Sequence, residues 1–124
     1  IRYQRINRAD AQHRAELLVM GLAVMVLDDP IKSAAIDEFK MLLESVLSAR
    51  KRVMIELNID TLALERVVEA LPCMREATIA NLANSKGFAV KAAIPRQSLP
   101  ILLPQIKALG GTDLVVTEIK QIVL

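Results

Sequence analysis

Between Val53 and Asn58 the chain alternates strictly, with Val53, Ile55 and Leu57 on one side of the period and Met54, Glu56 and Asn58 on the other. A period of two is what a strand buried on one face requires. The residues before it obey a different rule. Ile36, Phe39, Leu43, Val46 and Leu47 recur at three- and four-residue spacing, while Lys32, Asp37, Lys40 and Glu44 take the opposite side. That pattern predicts an amphipathic helix of about five turns. It opens at Pro30 behind a capping Asp29 and closes in Arg50-Lys51-Arg52, where cations suit the negative end of the helix dipole. The change of period at residue 52 constrains everything that follows.

Downstream, Asp60 is placed to cap a second helix whose stripe is Leu64, Val67, Val68 and Leu71, and Pro72 stops it. Thr78–Leu82 and Phe88–Ile94 read as two strands joined by Ala83-Asn84-Ser85-Lys86-Gly87, a link of hairpin length. Ser98 and Pro100 open a third helix with Leu102, Leu103, Ile106 and Leu109 inward; Pro104 should kink it or delay its start, and Gly110-Gly111 ends it. Leu114–Ile119 is the last strand. The order from residue 53 is therefore βαββαβ. Right-handed crossovers resolve it into a four-stranded antiparallel sheet with both helices on one face, an α+β, ferredoxin-like arrangement. The other face is expected to carry Met54, Glu56, Asn58, Ala77, Asn81, Ala89 and Ala93, a mixture suited to contact with another subunit or with the preceding helix.

Residues 1–14 are polar, rich in Arg and Asn and without a period, and are expected to form a loop or arm that includes His13, the one imidazole. After Glu16 the run to Leu27 is continuous in its apolar character, so periodicity leaves helix and strand both open, with its Leu, Met and Ala content favouring helix. Its apolar core is shorter than the ~20 residues of a membrane span, and no small-residue cleavage site follows it. The resulting organisation is an N-terminal arm or linker over 1–15, a connecting helical segment over 16–51 and an α+β domain over 52–124.

Several functions are disfavoured by what the chain lacks. With one Tyr, two Phe and no Trp it has few stacking platforms for nucleobases, and its net charge of +2 is too small to imply a polyanion. Cys73 is the one cysteine, so neither an intrachain disulfide nor a cysteine zinc cage can form, which fits a reducing, cytoplasmic setting. It is expected to fill a gap after Pro72. No phosphate loop, metal-ligand pair or nucleophile elbow is present. The carboxylate pairs Asp28-Asp29 and Asp37-Glu38 are assigned to a helix start and a solvated helix surface, and no metal site or catalytic residue is expected.

Four stretches carry a resemblance. Val53-Met54-Ile55-Glu56-Leu57-Asn58, Ala70–Ala83 with its Leu71-Pro72 and Thr78, Phe88–Pro95, and Leu103-Pro104-Gln105-Ile106-Lys107-Ala108-Leu109-Gly110-Gly111 leading into Leu114-Val115-Val116 together resemble the C-terminal regulatory domain of long-form ATP phosphoribosyltransferase. Asp29–Lys32 and Leu42–Arg50 resemble that family's helix joining the catalytic lobes to the regulatory domain. Where the family has Ser-Pro on either side of its threonine, this chain has Glu76-Ala77 and Ala80-Asn81.

The resemblance implies a ferredoxin-like, PII-like regulatory domain that binds L-histidine as feedback inhibitor of histidine biosynthesis, the ligand sitting between neighbouring copies of a homo-oligomer, trimer or hexamer. Carried over by position, Asn58 would meet the ammonium or imidazole, Thr78 would hydrogen-bond the ligand, Met74 would line the recess and Asp113 would come from the entry to the last strand. No cofactor is expected in this segment, although the full family enzyme uses magnesium. The two catalytic lobes and their phosphate-gripping loop do not precede residue 16, so the segment is expected to regulate a glycosyltransferase, not to catalyse. The alternative is a stand-alone PII-like sensor or trimeric interaction module that takes another small molecule. No nucleic-acid or membrane partner is expected.

Overall fold

The computed structural model describes residues 8–25 and 30–124. It divides into two compact units, Ile1–Ser48 with Gln121–Leu124, and Ala49–Lys120. In the first, helix α1 spans Arg8–Met25 and helix α2 begins at Pro30 and runs to Arg50. The apolar run is thus helical as far as Met25, and residues 8–14, expected in a loop or arm, are helical as well. Asp29, the expected cap, and residues 26–28 lie outside the described residues, as do residues 1–7. Along α2, Leu47 is buried and Leu43 half-buried as the stripe requires, but Phe39 is 45% exposed. Among the described residues no helix is long and apolar enough to cross a membrane.

The C-terminal segment belongs to this first unit through one buried serine. Ser45 is 3% exposed. Its hydroxyl donates to the Leu42 carbonyl at 2.6 Å and accepts from the Gln121 amide at 2.7 Å, while its carbonyl accepts from the Ile122 N–H at 3.0 Å. A serine inside a helix is tolerated when its hydroxyl bonds back to the preceding turn, as here.

The second unit carries the βαββαβ order. Strand β1 spans Arg52–Ile59, a 3₁₀ turn Thr61–Ala63 leads into α3 at Leu64–Ala70, β2 is Thr78–Asn81 and β3 is Phe88–Pro95. A second 3₁₀ turn, Arg96–Ser98, enters α4 at Leu99–Ala108, and β4 is Thr112–Glu118. The four strands form an antiparallel sheet in the order β2-β3-β1-β4, the ferredoxin-like arrangement expected from the period changes.

Val53, Ile55, Leu57 and Ile59 of β1 pack with Val90, Ala92 and Ile94 of β3, Ala63 and the α3 residues Val67 and Leu71, and Leu102 and Ile106 of α4. Both helices therefore supply the cover for one sheet face. Fully burying Ile55, Ile94 or Ile106 contributes roughly 1.5–3 kcal/mol each.

Local details differ from expectation where backbone groups do work assigned to side chains. Asp60 makes no side-chain cap; its carbonyl accepts from the Ala63 N–H at 3.1 Å to close the 3₁₀ turn. Ser98 likewise makes no side-chain cap bond. The helix start is not delayed to Pro104, because α4 begins at Leu99 and continues through it. The carbonyl that loses its partner there is that of Pro100, on an exposed turn where water can bond it. At the other end of α4 the Gly111 N–H donates to Ile106 and the Gly110 N–H to Lys107, with Gly110 at φ +95°. This is the paired closure by which a glycine in the left-handed region ends a helix.

Candidate functional site

Residues directly opposed on antiparallel strands share a face. The register sets Thr78 opposite Lys91, Lys91 opposite Glu56 and Glu56 opposite Val115, giving one row across the face away from the helices. A second row runs Ala80, Ala89, Asn58, Thr112. Two of the residues expected on this face are elsewhere. Asn81 opposes Phe88 in the row of opposite parity, and Ala77 packs against the core on the helix side.

Asn58 and Asp113 are brought together. The Asn58 Nδ2 donates to Asp113 Oδ2 at 3.0 Å, and the Thr112 hydroxyl donates to the same oxygen at 3.3 Å. Asp113 adopts φ +50°. The pairing passes from Glu56–Val115 to Asn58–Thr112, so Asp113 and Leu114 together face the single residue Leu57, which is a β-bulge. Leu114 turns to the core and Asp113 stays exposed. An Asp in the left-handed region costs about 1 kcal/mol relative to an extended residue.

Thr78 is on the same face, two strands away and displaced by two residues. With strands about 4.8 Å apart and about 3.3 Å of rise per residue, the Asn58 and Thr78 backbones are roughly 12 Å apart. A small zwitterion with hydrogen bonds of about 3 Å at each end spans such a gap. The floor between them is Ala80 and Ala89, and Lys91 forms an ion pair with Glu56 beside it.

Met74 is not part of this group. Its N–H donates to the Ala93 carbonyl at 3.1 Å, so it attaches to β3 four residues from Ala89, about 13 Å along the strand. Sequence reasoning also gave no site role to Thr112, Lys91 and Glu56, although it placed Glu56 on this face. The last two were signalled by sharing a parity with Ala89 and Asn58; Thr112 had no such signal, because only the bulge turns it to this face.

Two recesses open on the helix side instead. One of about 520 Å³ is lined by Val68, Leu71, Pro72, Cys73, Arg75, Glu76, Ala77 and Ile79; one of about 240 Å³ lies between α3 and β2. None of the four predicted site residues lines either recess. Cys73 packs against the core as expected, and burial pushes its thiol above the usual range. Among the described residues there is no cluster of His, Cys, Asp and Glu able to hold a metal ion.

Comparison with known proteins adds an independent observation. A family described as HisG, C-terminal domain, matches residues 49–121. ATP phosphoribosyltransferase of Metallosphaera sedula is 32% identical over 96 residues, covering 75% of this chain and 34% of that protein. The enzyme of the same name from Chlorobium luteolum is 25% identical over 96 residues, covering 77% and 33%. That of Geotalea uraniireducens is 26% identical over 114 residues, covering 92% and 38%, so the likeness reaches into the helices of the first unit. The chain spans about a third of the length of the curated relatives it matches.

Proposed function

The chain belongs to the HisG C-terminal domain family, and from that premise we propose that it is a regulatory and oligomerising portion of an ATP phosphoribosyltransferase, binding L-histidine as feedback inhibitor without performing the transfer itself. The observation that carries the reading is the Asp113 carboxylate, held by Asn58 and Thr112 at one end of a small-residue floor whose other end has Thr78 and Lys91. An ammonium or imidazolium group goes to Asp113, and the ligand carboxylate goes toward the Thr78 hydroxyl and the Lys91 ammonium. Hydrogen bonds with one ionised partner are the stronger ones, so a few placed groups suffice for a small zwitterion.

The site so formed is open on its outer side. A neighbouring copy laid on this face closes it, excludes water and supplies the apolar walls that a single sheet does not, which links ligand binding to assembly as a trimer or hexamer. Such a domain fits a PII-like, cytoplasmic allosteric module. Of the positions that depart from the family's Ser-Pro pairs, Ala77 and Asn81 lie off this face and Glu76 lines the recess on the helix side, leaving Ala80 alone in the floor. That placement favours retained histidine binding. The second reading, a sensor for another small molecule, rests on Ala80, where loss of the family's serine hydroxyl changes the floor.

Calorimetric titration with L-histidine, with L-alanine as control and Thr78→Ala and Asp113→Asn as variants, tests the proposal. Saturable heat lost in both variants supports it. No heat at millimolar histidine from a folded, oligomeric sample overturns it and leaves the sensor reading.

A further inference from the structure

The channel between α3 and the free edge of β2 has a chemistry the histidine site does not use, and we propose that it binds an extended, basic peptide segment of a partner protein by adding it as a fifth strand. β2 is at one end of the sheet order, so one row of its backbone N–H and C=O groups has no neighbouring strand. All four of its residues are exposed. The two recesses described above share Val68 and Ile79 and so run together along this edge. Their apolar surface comes from Leu64, Val68, Leu71 and Ile79, the last 44% exposed.

An extended peptide paired to β2 turns alternate side chains into such a channel, which is how strand addition combines backbone affinity with side-chain selectivity. At about 3.3 Å per residue, four residues of β2 hold a partner segment of roughly 13 Å.

Charge selects the occupant. Glu65, Glu69 and Glu76 line the channel against Arg75 alone, and none of these four enters an ion pair among the described residues. The other sheet edge, β4, is Thr112–Glu118, which carries Asp113 and a Glu118 paired with Arg96 and has no cation of its own. A second copy offering its β4 would therefore bring no free cation to these acids, whereas a segment whose every-second, channel-facing positions carry both an apolar residue and Lys or Arg matches both the floor and the rim.

The test uses the full chain, ¹⁵N-labelled and titrated with the hexapeptide acetyl-Lys-Thr-Val-Thr-Lys-Thr-amide, whose two Lys and one Val share a face of the strand. Acetyl-Glu-Thr-Val-Thr-Glu-Thr-amide and the backbone N-methylated form of the first peptide serve as controls, the second lacking the N–H groups that pair. Amide shifts confined to α3, Cys73–Ala77 and β2 are expected with the first peptide only. The Glu65→Gln/Glu69→Gln variant, both positions being on the exposed face of α3, should bind about tenfold more weakly, at about threefold per exposed charge. Equal binding of the acidic peptide, no shift at millimolar peptide, or β2 shifts that appear with protein concentration alone and so reveal self-pairing would each overturn the proposal.

Discussion

The turn that ends α4 offers the sharpest mechanical test of the fold around the candidate site. A methyl group at Gly111 would lie 2.4 Å from the Ile106 Cγ2 and 3.0 Å from the Ile106 carbonyl oxygen. Ile106 is fully buried and β-branched, and its carbonyl already accepts the Gly111 N–H, so neither neighbour can withdraw without disturbing the core. Overpacking of this kind costs about 1–3 kcal/mol, offset by the 0.4–1 kcal/mol or so that replacing glycine removes from the entropy of the unfolded chain. The net expectation for Gly111→Ala is a loss of about 1–2 kcal/mol, which lowers Tm by roughly 4–8 °C per kcal/mol in a unit of this size. The adjacent Gly110 has φ +95°, but a methyl group added there would meet nothing within 4 Å. Gly110→Asn, which tolerates the left-handed region, should therefore cost less than Gly111→Ala. Urea unfolding followed by far-ultraviolet circular dichroism is the assay, since the chain has no Trp to report by fluorescence. A Gly111→Ala protein as stable as the parent, or a Gly110→Asn protein that is the less stable of the two, would refute the packing argument.

Other expectations follow from single contacts. Because burial raises the Cys73 thiol, its alkylation by iodoacetamide should be slower at neutral pH than that of an unhindered cysteine, and should accelerate only as pH rises beyond the ordinary thiol range. Ser45→Ala removes the acceptor of the Gln121 amide, at a cost of about 0.5–1.5 kcal/mol because the exposed Gln121 can turn to water; faster hydrogen exchange at the Ile122 amide is the readout, and unchanged protection would show that the serine does not hold the C-terminal segment. Ile55→Val, at the centre of the sheet, should cost about 0.5–1.5 kcal/mol in the same urea assay. Lys91→Met breaks an exposed pair with Glu56 and should change stability by less than about 1 kcal/mol.

The helix-facing half of the second unit was legible in the sequence because a period is a statement about one buried face. The alternation at Val53, Ile55 and Leu57 and the stripes through Val67, Leu71, Leu102 and Ile106 reappear as the core. Where no single face is buried, no period exists to be read. Leu17, Leu18 and Met20 on α1 are all more than half exposed, so a helix there leaves no stripe, and the polar start at Arg8 gave no sign of its helicity. β2 fails for the same reason. Thr-Ile-Ala-Asn at a sheet edge is exposed at every position, and its parity, hence the faces of Ala77 and Asn81, follows only from the register with β3. The side-chain cap expected at Asp60 does not form because the 3₁₀ turn there closes on backbone groups and has no need of the side chain.

The polar group at the candidate site depends on one extra residue. If β4 kept the register set by Val115 and Glu56, Asp113 would oppose Asn58 and Thr112 would oppose Ile59, on the helix side of the sheet. The bulge moves Thr112 opposite Asn58 and leaves Asp113 beside both, so a single carboxylate oxygen gathers two donors that a regular strand would hold on opposite faces. Leu114 still reaches the core, which means the bulge rearranges the outer face without giving up a buried contact. The unfavourable φ of Asp113 then has a structural reason in the paired donors it brings within reach. Residue types near Gly110-Gly111 could suggest a turn, but a two-versus-one pairing is a property of two strands together. It is invisible in either strand's own sequence, and for that reason Asn58 and Asp113 could be brought together only by resemblance until the register was known.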